Sequence, residues 1–369
     1  MRQIIKYLLF VGFLAAALIA AANFDLTSLT VPKPRKSGTA APKSFRGVSI
    51  SKKPSAILTG LSGVVSFDYS PSSAMTAATA DDQILVWQLP DTAPLREISS
   101  GPGFQALSLR FLPGSSLFAV GGMNSDNSGS IKIYDAVTGV QKLQFDEAEP
   151  IISLDPHPNG KQLLITGETY IKVIEVKDGN LVAIMQKSSP VARACFYGNG
   201  NFILQSDILS LYDVNKRAMA GSVDTVAPLF FRKGMDGTTF TWLSAEGVTI
   251  ATAGQPGKKF FPVDTKGVLS FDVDSKGTWG LFLLDGQKMV VRELATGKSI
   301  KTIALGAAAA DVVLSADENS AYVQFTSGAI GVFDVGYQNK LKSMKYALKK
   351  FVGSIKSKAA PVEKPVDPQ

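Results

Sequence analysis

Two residue types that build most active sites are almost absent: the chain holds one cysteine and one histidine in 369 residues. With Cys195 alone, an intramolecular disulfide, a thiolate metal cluster and covalent haem attachment are excluded. With His157 alone, multi-histidine metal sites are excluded and any catalytic dyad has a single imidazole base to draw on. No glycine-rich phosphate loop, nucleophile elbow or paired-carboxylate spacing in a strand context appears. These absences argue against an enzyme, and neither a catalytic residue nor a cofactor is expected. What is present is core-forming material, 45 % hydrophobic residues with 19 % charged, and 33 glycines suited to many tight turns.

The net charge of +7 is unevenly placed. Residues 1–54 carry nine Lys/Arg against Asp25, and residues 340–369 carry eight Lys against Glu363 and Asp367. Residues 55–339 are left with 21 Lys/Arg against 28 Asp/Glu, a net −7. The basic balance therefore belongs to the two extensions, and an acidic body argues against nucleic acid as a partner.

Arg2 and Lys6 precede an apolar run from Tyr7 to Ala22 that closes on Ala20-Ala21-Ala22. A positive start, an apolar stretch and small terminal residues match a secretory signal over residues 1–22, cleaved after Ala22. An uncleaved anchor is the alternative, since sixteen helical residues reach about 24 Å of a roughly 30 Å hydrocarbon core. Lys33, Arg35, Lys36 and Lys43 outnumber Arg2 and Lys6, which under the positive-inside rule would hold the body in the cytoplasm. Residues 23–54, with "TVPKPRKSGTAAPKS", read as a linker.

The middle repeats itself. Seven strand-like segments align: "ILVWQL" at Trp87, "IKIYDA" at Tyr134, "IKVIEV" at Ile174, "LSLYDV" at Tyr212, "VTIATA" at Ile250, "MVVREL" at Arg292 and "IGVFDV" at Phe333. Their spacings are 47, 40, 38, 38, 42 and 41 residues, and an acidic residue follows at Asp135, Glu175, Asp213, Glu293 and Asp334. Before each lies a turn such as "HPNG" or "DSKG", and after each another such as "AVTG" or "LATG". Glycines in such turns supply the positive φ of tight hairpins. Short alternating strands at this period, with no helical segment between them, predict an all-β seven-bladed propeller of four-stranded antiparallel blades over residues 55–339. The run "GVSISKKPSAILTG", residues 47–60, is the candidate to close the ring as an outer strand of the last blade.

These repeats resemble the WD-repeat propellers. "FDYSPSSAMTAATADDQILVWQL" and "LDPHPNGKQLLITGETYIKVIEV" follow that family's rhythm, with Trp87 at its tryptophan position. The chain departs from the pattern in having no Gly-His step, and Gln88 rather than Asp follows Trp87, so the family's His-Asp-Ser-Trp cluster cannot form. "LATGKSIKTIALG" is also similar to the quinoprotein-like repeats of exported bacterial propellers. The resemblance implies a platform for protein partners, which a fold alone does not establish.

Individual candidates have ordinary readings. His157 in "DPHPNGK" reads as a turn residue, and Cys195 as a buried small hydrophobe on an innermost strand, with Arg193 on the same face. Asn124, Asp126, Ser128, Gly129, Ile131 and Asp135 match six positions of a calcium loop. Position 1 is neutral, however, and "SIKIYD" is already a strand, so the favoured reading is a longer hairpin without metal. Near the C-terminus, Leu341, Met344, Leu348, Phe351 and Ile355 form one stripe of a helix over residues 340–358. Lys345 and Lys349 are among the lysines on its other side. That basic amphipathic helix suits the acidic propeller itself, an anionic membrane or a protein partner. Residues 359–369 are a Pro-rich, disordered tail.

The expectation is a non-catalytic propeller scaffold, exported to the periplasm or another extracytoplasmic space and soluble or tethered at the membrane, that holds a protein partner. The alternative is a small-ligand-binding or quinoprotein-like enzyme using the channel mouth.

Overall fold

The computed structural model describes residues 48–337 except 71, 188–190, 192, 199–200, 215, 225–227, 235–237, 254–257 and 316. The signal or anchor segment, most of the linker, the C-terminal helix and the tail lie outside the described residues. Among the described residues all regular structure is strand, and no helix is long and apolar enough to cross a membrane.

Two short strands come first, β1 (Val48–Ile50) and β2 (Ala56–Leu58). Blade 1 then holds β3 (Ser66–Ser70), β4 (Met75–Ala80), β5 (Gln83–Gln88) and β6 (Arg96–Ser99). Blade 2 holds β7 (Gln105–Phe111), β8 (Leu117–Met123), β9 (Gly129–Asp135) and β10 (Gln141–Glu147). Blade 3 holds β11 (Ser153–Pro156), β12 (Gln162–Thr166), β13 (Tyr170–Glu175) and β14 (Leu181–Gln186). Blade 4 holds β15 (Arg193–Tyr197), β16 (Asn201–Gln205), β17 (Leu209–Asp213) and β18 (Ala218–Asp224). Blade 5 holds β19 (Phe230–Lys233), β20 (Thr239–Ser244), β21 (Gly247–Thr252) and β22 (Lys258–Phe261). Blade 6 holds β23 (Val268–Val273), β24 (Trp279–Leu284), β25 (Lys288–Glu293) and β26 (Ser299–Ala304). Blade 7 holds β27 (Ala309–Leu314), β28 (Ser320–Phe325) and β29 (Ile330–Tyr337).

Each of the first six blades is an antiparallel meander of four strands in sequence order. Blade 7 has three such strands, and its outer place is filled from the N-terminal side of the chain. Val48 pairs with Tyr337 and Ile50 with Val335, while Ala56 pairs with Val332 and Leu58 with Ile330. The propeller thus begins at Val48, inside the stretch assigned to the linker. Val48 and Ile50 alternate with Ser49 and enter the core shared by blades 6 and 7.

Seven apolar clusters hold the ring, one between each pair of neighbouring blades. A single blade has two apolar faces and buries both only when flanked on each side, which makes the ring cooperative. The last interface joins blade 7 to blade 1 through Tyr322, Trp87 and Leu58. The rings of Tyr69 and Tyr322 lie 5.2 Å apart there, and Gln324 donates to the Val64 carbonyl at 2.7 Å.

The turns are built as their residues require. Gly160 adopts φ +69°, and a Cβ there would stand 2.5 Å from the Pro113 carbonyl oxygen of the preceding blade. The acidic residues that follow the third strands cap the next turn: Asp135 accepts from the amides of Val137 and Thr138, both at 2.9 Å.

Candidate functional site

The first strand of every blade is its inner edge, and an edge strand exposes backbone N–H groups that need partners. Here the preceding blade supplies them. Ser66 Oγ accepts from Leu109 N–H at 3.1 Å and Asp68 Oδ2 from Phe111 N–H at 2.8 Å. Ser108 Oγ accepts from Leu154 N–H at 3.1 Å, and Asp155 Oδ2 from Phe196 N–H at 2.8 Å. Ser270 Oγ and Asp272 Oδ2 do the same for Val312 N–H at 3.2 Å and Leu314 N–H at 2.8 Å. Aligned on the following turn, the seven blades place Ser66, Ser108, Ser153, Arg193, Phe230, Ser270 and Asp311 at the first position. Two residues on stand Asp68, Arg110, Asp155, Cys195, Arg232, Asp272 and Val313.

The departures from Ser-x-Asp are instructive. Arg110 cannot accept a hydrogen bond, but the residue it would serve is Pro156, which has no N–H to offer. Ser153 Oγ is buried without a partner among the described residues. In blades 4 and 5, Arg193, Cys195, Phe230 and Arg232 replace the acceptors altogether.

The long cations of blade 5 reach past a neighbouring blade. Lys233 Nζ donates to Asp155 Oδ2 of blade 3 at 2.6 Å, with both side chains buried. Arg232 pairs with Asp311 of blade 7 and donates to Ser270 Oγ at 2.9 Å. Arg110, whose charge opposes the Asp68 carboxylate, donates to Leu109 O at 2.6 Å and Ser66 Oγ at 3.3 Å. Arg193 differs from all of these. It has no hydrogen bond or ion pair among the described residues, and its Nε is buried.

These side chains line a cavity of about 440 Å³ to which the inner strands of all seven blades contribute. Burial pushes the Asp272 carboxyl up to about 6, with the opposed charge of Arg232 holding it back, and raises Asp68 in the same direction. Burial, then the like charge of Arg110, lowers the Arg193 guanidinium from its usual value, although an arginine stays cationic at any ordinary pH. Cys195 is fully buried and its thiol is pushed up to about 12 by burial and the nearby Asp155, so it is an inert thiol. The arc formed by blades 2, 4 and 5 can donate hydrogen bonds to an anion, and it presents no activated nucleophile.

The structure places the residues singled out in the sequence as follows. His157 is buried at the turn after β11, where its Nδ1 accepts from Asn159 N–H at 3.1 Å and its ring meets Phe196 edge-on at 4.8 Å. Asn124, Asp126 and Ser128 form the β8–β9 turn, Asp126 Oδ1 accepting from Ser128 N–H at 2.9 Å and Ser128 Oγ at 2.6 Å. Asp135 stands at the other end of β9, about 20 Å away at roughly 3.3 Å per residue, so the calcium-loop candidates are not brought together. No group of three or more His, Cys, Asp or Glu able to hold a metal occurs among the described residues. Trp87 is buried, and its indole N–H has no hydrogen-bond partner among the described residues. Leu341, Met344, Leu348, Phe351, Ile355, Lys345 and Lys349 lie outside the described residues.

A second surface stands out on the rim. The outer strands of blades 3, 4 and 5 expose Leu181, Ile184, Met219 and Phe260, whereas β10 of blade 2 exposes Gln141, Lys142, Gln144 and Asp146. No protein-family model matches the chain and no curated protein matches it. The seven-bladed arrangement therefore rests on the structure, and WD-repeat membership is not established.

Proposed function

We propose that this protein is a non-catalytic β-propeller scaffold, exported or held at a membrane, that recognises a protein partner along the outer rim of blades 3–5. One observation supports the partner reading. Three successive outer strands expose large apolar side chains, with Leu181 56 %, Met219 52 % and Phe260 49 % accessible. A neighbouring run of exposed apolar residues on sheet edges is the kind of surface that protein partners cover, by side-chain burial and by pairing with the free backbone edge. The address rests on the N-terminal sequence, Arg2 to Ala22, and on the basic extensions.

The test uses protein purified gently from its own cells. A Leu181→Asp/Phe260→Asp variant is expected to keep the wild-type melting temperature and to lose a stoichiometric protein partner. A control pair on blade 2, Gln141→Asp/Gln144→Asp, is expected to retain that partner. Retention by the rim variant contradicts the reading. The intact mass of the same preparation reads the address: a chain beginning near Asn23 supports export, and a full-length soluble chain opposes it.

A further inference from the structure

The channel carries an inference independent of the rim. We propose that its basic arc, centred on Arg193, binds the carboxylate of a ligand that enters the lumen.

Three observations converge on Arg193. The repeat asks for a hydrogen-bond acceptor at its position, and Ser66, Ser108 and Ser270 fill that role for the next blade. Arg193 forgoes the cap and places a guanidinium there instead. Asp155 of the preceding blade, whose charge acts on Arg193, forms its ion pair with Lys233, and the partner of Arg232 is Asp311. The Arg193 Nε is buried with no hydrogen-bond partner among the described residues, a donor that an anion in the lumen would satisfy.

The placement of charge and the fork of the guanidinium point to the anion. The cations Arg110, Arg193, Arg232 and Lys233 face the acids Asp68, Asp155, Asp272 and Asp311 in one cavity. Two ion pairs cancel Arg232 and Lys233, and Arg110 opposes Asp68. Arg193 is the cation left without a direct partner, with Asp272 its counterpart among the acids, so the eight groups balance in number. The four carboxylates that share the cavity disfavour added negative charge. A monoanion with two coplanar oxygens matches the fork of the Arg193 guanidinium and adds less negative charge beside these carboxylates than a phosphate dianion. The volume of about 440 Å³ lies within the range of small-ligand pockets. The carboxylate comes either from a free small acid or from the C-terminus of a partner chain threaded into the lumen.

The full-length protein is titrated calorimetrically with acetate, butyrate, succinate and phosphate at constant ionic strength. A tetrapeptide with a free C-terminus and its amidated form are run alongside. Saturable binding of a carboxylate is expected, tighter than phosphate, and weakened roughly tenfold or more in Arg193→Gln. Asp311→Asn frees Arg232 and is expected to tighten binding several-fold, which keeps the test decisive if the Arg193 variant folds poorly. Preference for the free-ended over the amidated peptide and over butyrate assigns the source to a partner chain, and preference for butyrate assigns it to a free acid. Absence of carboxylate binding, equal binding by Arg193→Gln, weaker binding by Asp311→Asn, or tighter binding of phosphate each overturns the proposal.

Discussion

The inner strands of blades 1 and 6 and those of blades 4 and 5 occupy equivalent places and use them differently. In blades 1 and 6 the Ser-x-Asp pairs at Ser66/Asp68 and Ser270/Asp272 satisfy the amides of the following blade. Their polarity is spent on architecture. In blades 4 and 5 the same positions hold Arg193, Cys195, Phe230 and Arg232, none of which can cap an amide as an aspartate does. Where a repeat keeps its structural chemistry, its charged residues say little about function. Where it abandons that chemistry without a replacement, the residue is free to serve a ligand.

Breaking the architectural side gives the largest expected effect. Asp155→Ala removes the cap on Phe196 N–H and strands the buried Lys233 ammonium. It is expected to cost about 3–5 kcal/mol of stability, as for other buried pairs that lose one partner. Urea unfolding checks it, and a loss under 1 kcal/mol would mean that Lys233 finds solvent or another acceptor.

A smaller effect sharpens the comparison through pH. The Asp272 carboxyl sits at about 6 when folded, against about 3.9 in an unfolded chain, because burial disfavours its charge. The folded state holds the proton more tightly, so this group's contribution to stability is full below pH 4 and is lost as pH rises through 6. Arg232 and Asp311 are the charges that face it. Asp272→Asn keeps an acceptor for Leu314 N–H and removes the titration. Relative to this variant, the wild type is expected to lose on the order of 2–3 kcal/mol between pH 4 and 7. Parallel stability curves for the two proteins would contradict it.

Much of the fold was legible because it is written in turns. Each of the seven aligned segments, from Trp87 to Phe333, falls on the third strand of a blade, since hairpin glycines and alternating apolar residues are local signals. Closure was legible in Ile57 and Leu58, which pair with β29. The pairing of Val48 with Tyr337 is not a local property, and the linker composition around it concealed the strand. The channel was harder. Taken one segment at a time, Asp68, Asp155 and Asp272 have no local signal of their role, which strand orientation shows by aiming them at the next blade. The signal was present as Ser-x-Asp seven residues ahead of Ser73, Gly160 and Gly277, visible only when first strands rather than third strands are aligned. That Arg193 is unpaired depends on Lys233 reaching across to Asp155, a contact between blades that no sequence spacing records.

The melting temperature of Arg193→Ser without added ligand tests the central claim most directly. The substitution restores the serine of the repeat, offers its Oγ to the Phe231 amide as Ser66 does to Leu109, and removes a charge that the fold leaves unpaired. The account predicts a gain on the order of 1 kcal/mol, seen as a rise of a few degrees. A fall in melting temperature would show that Arg193 is held for the fold, and would contradict the account.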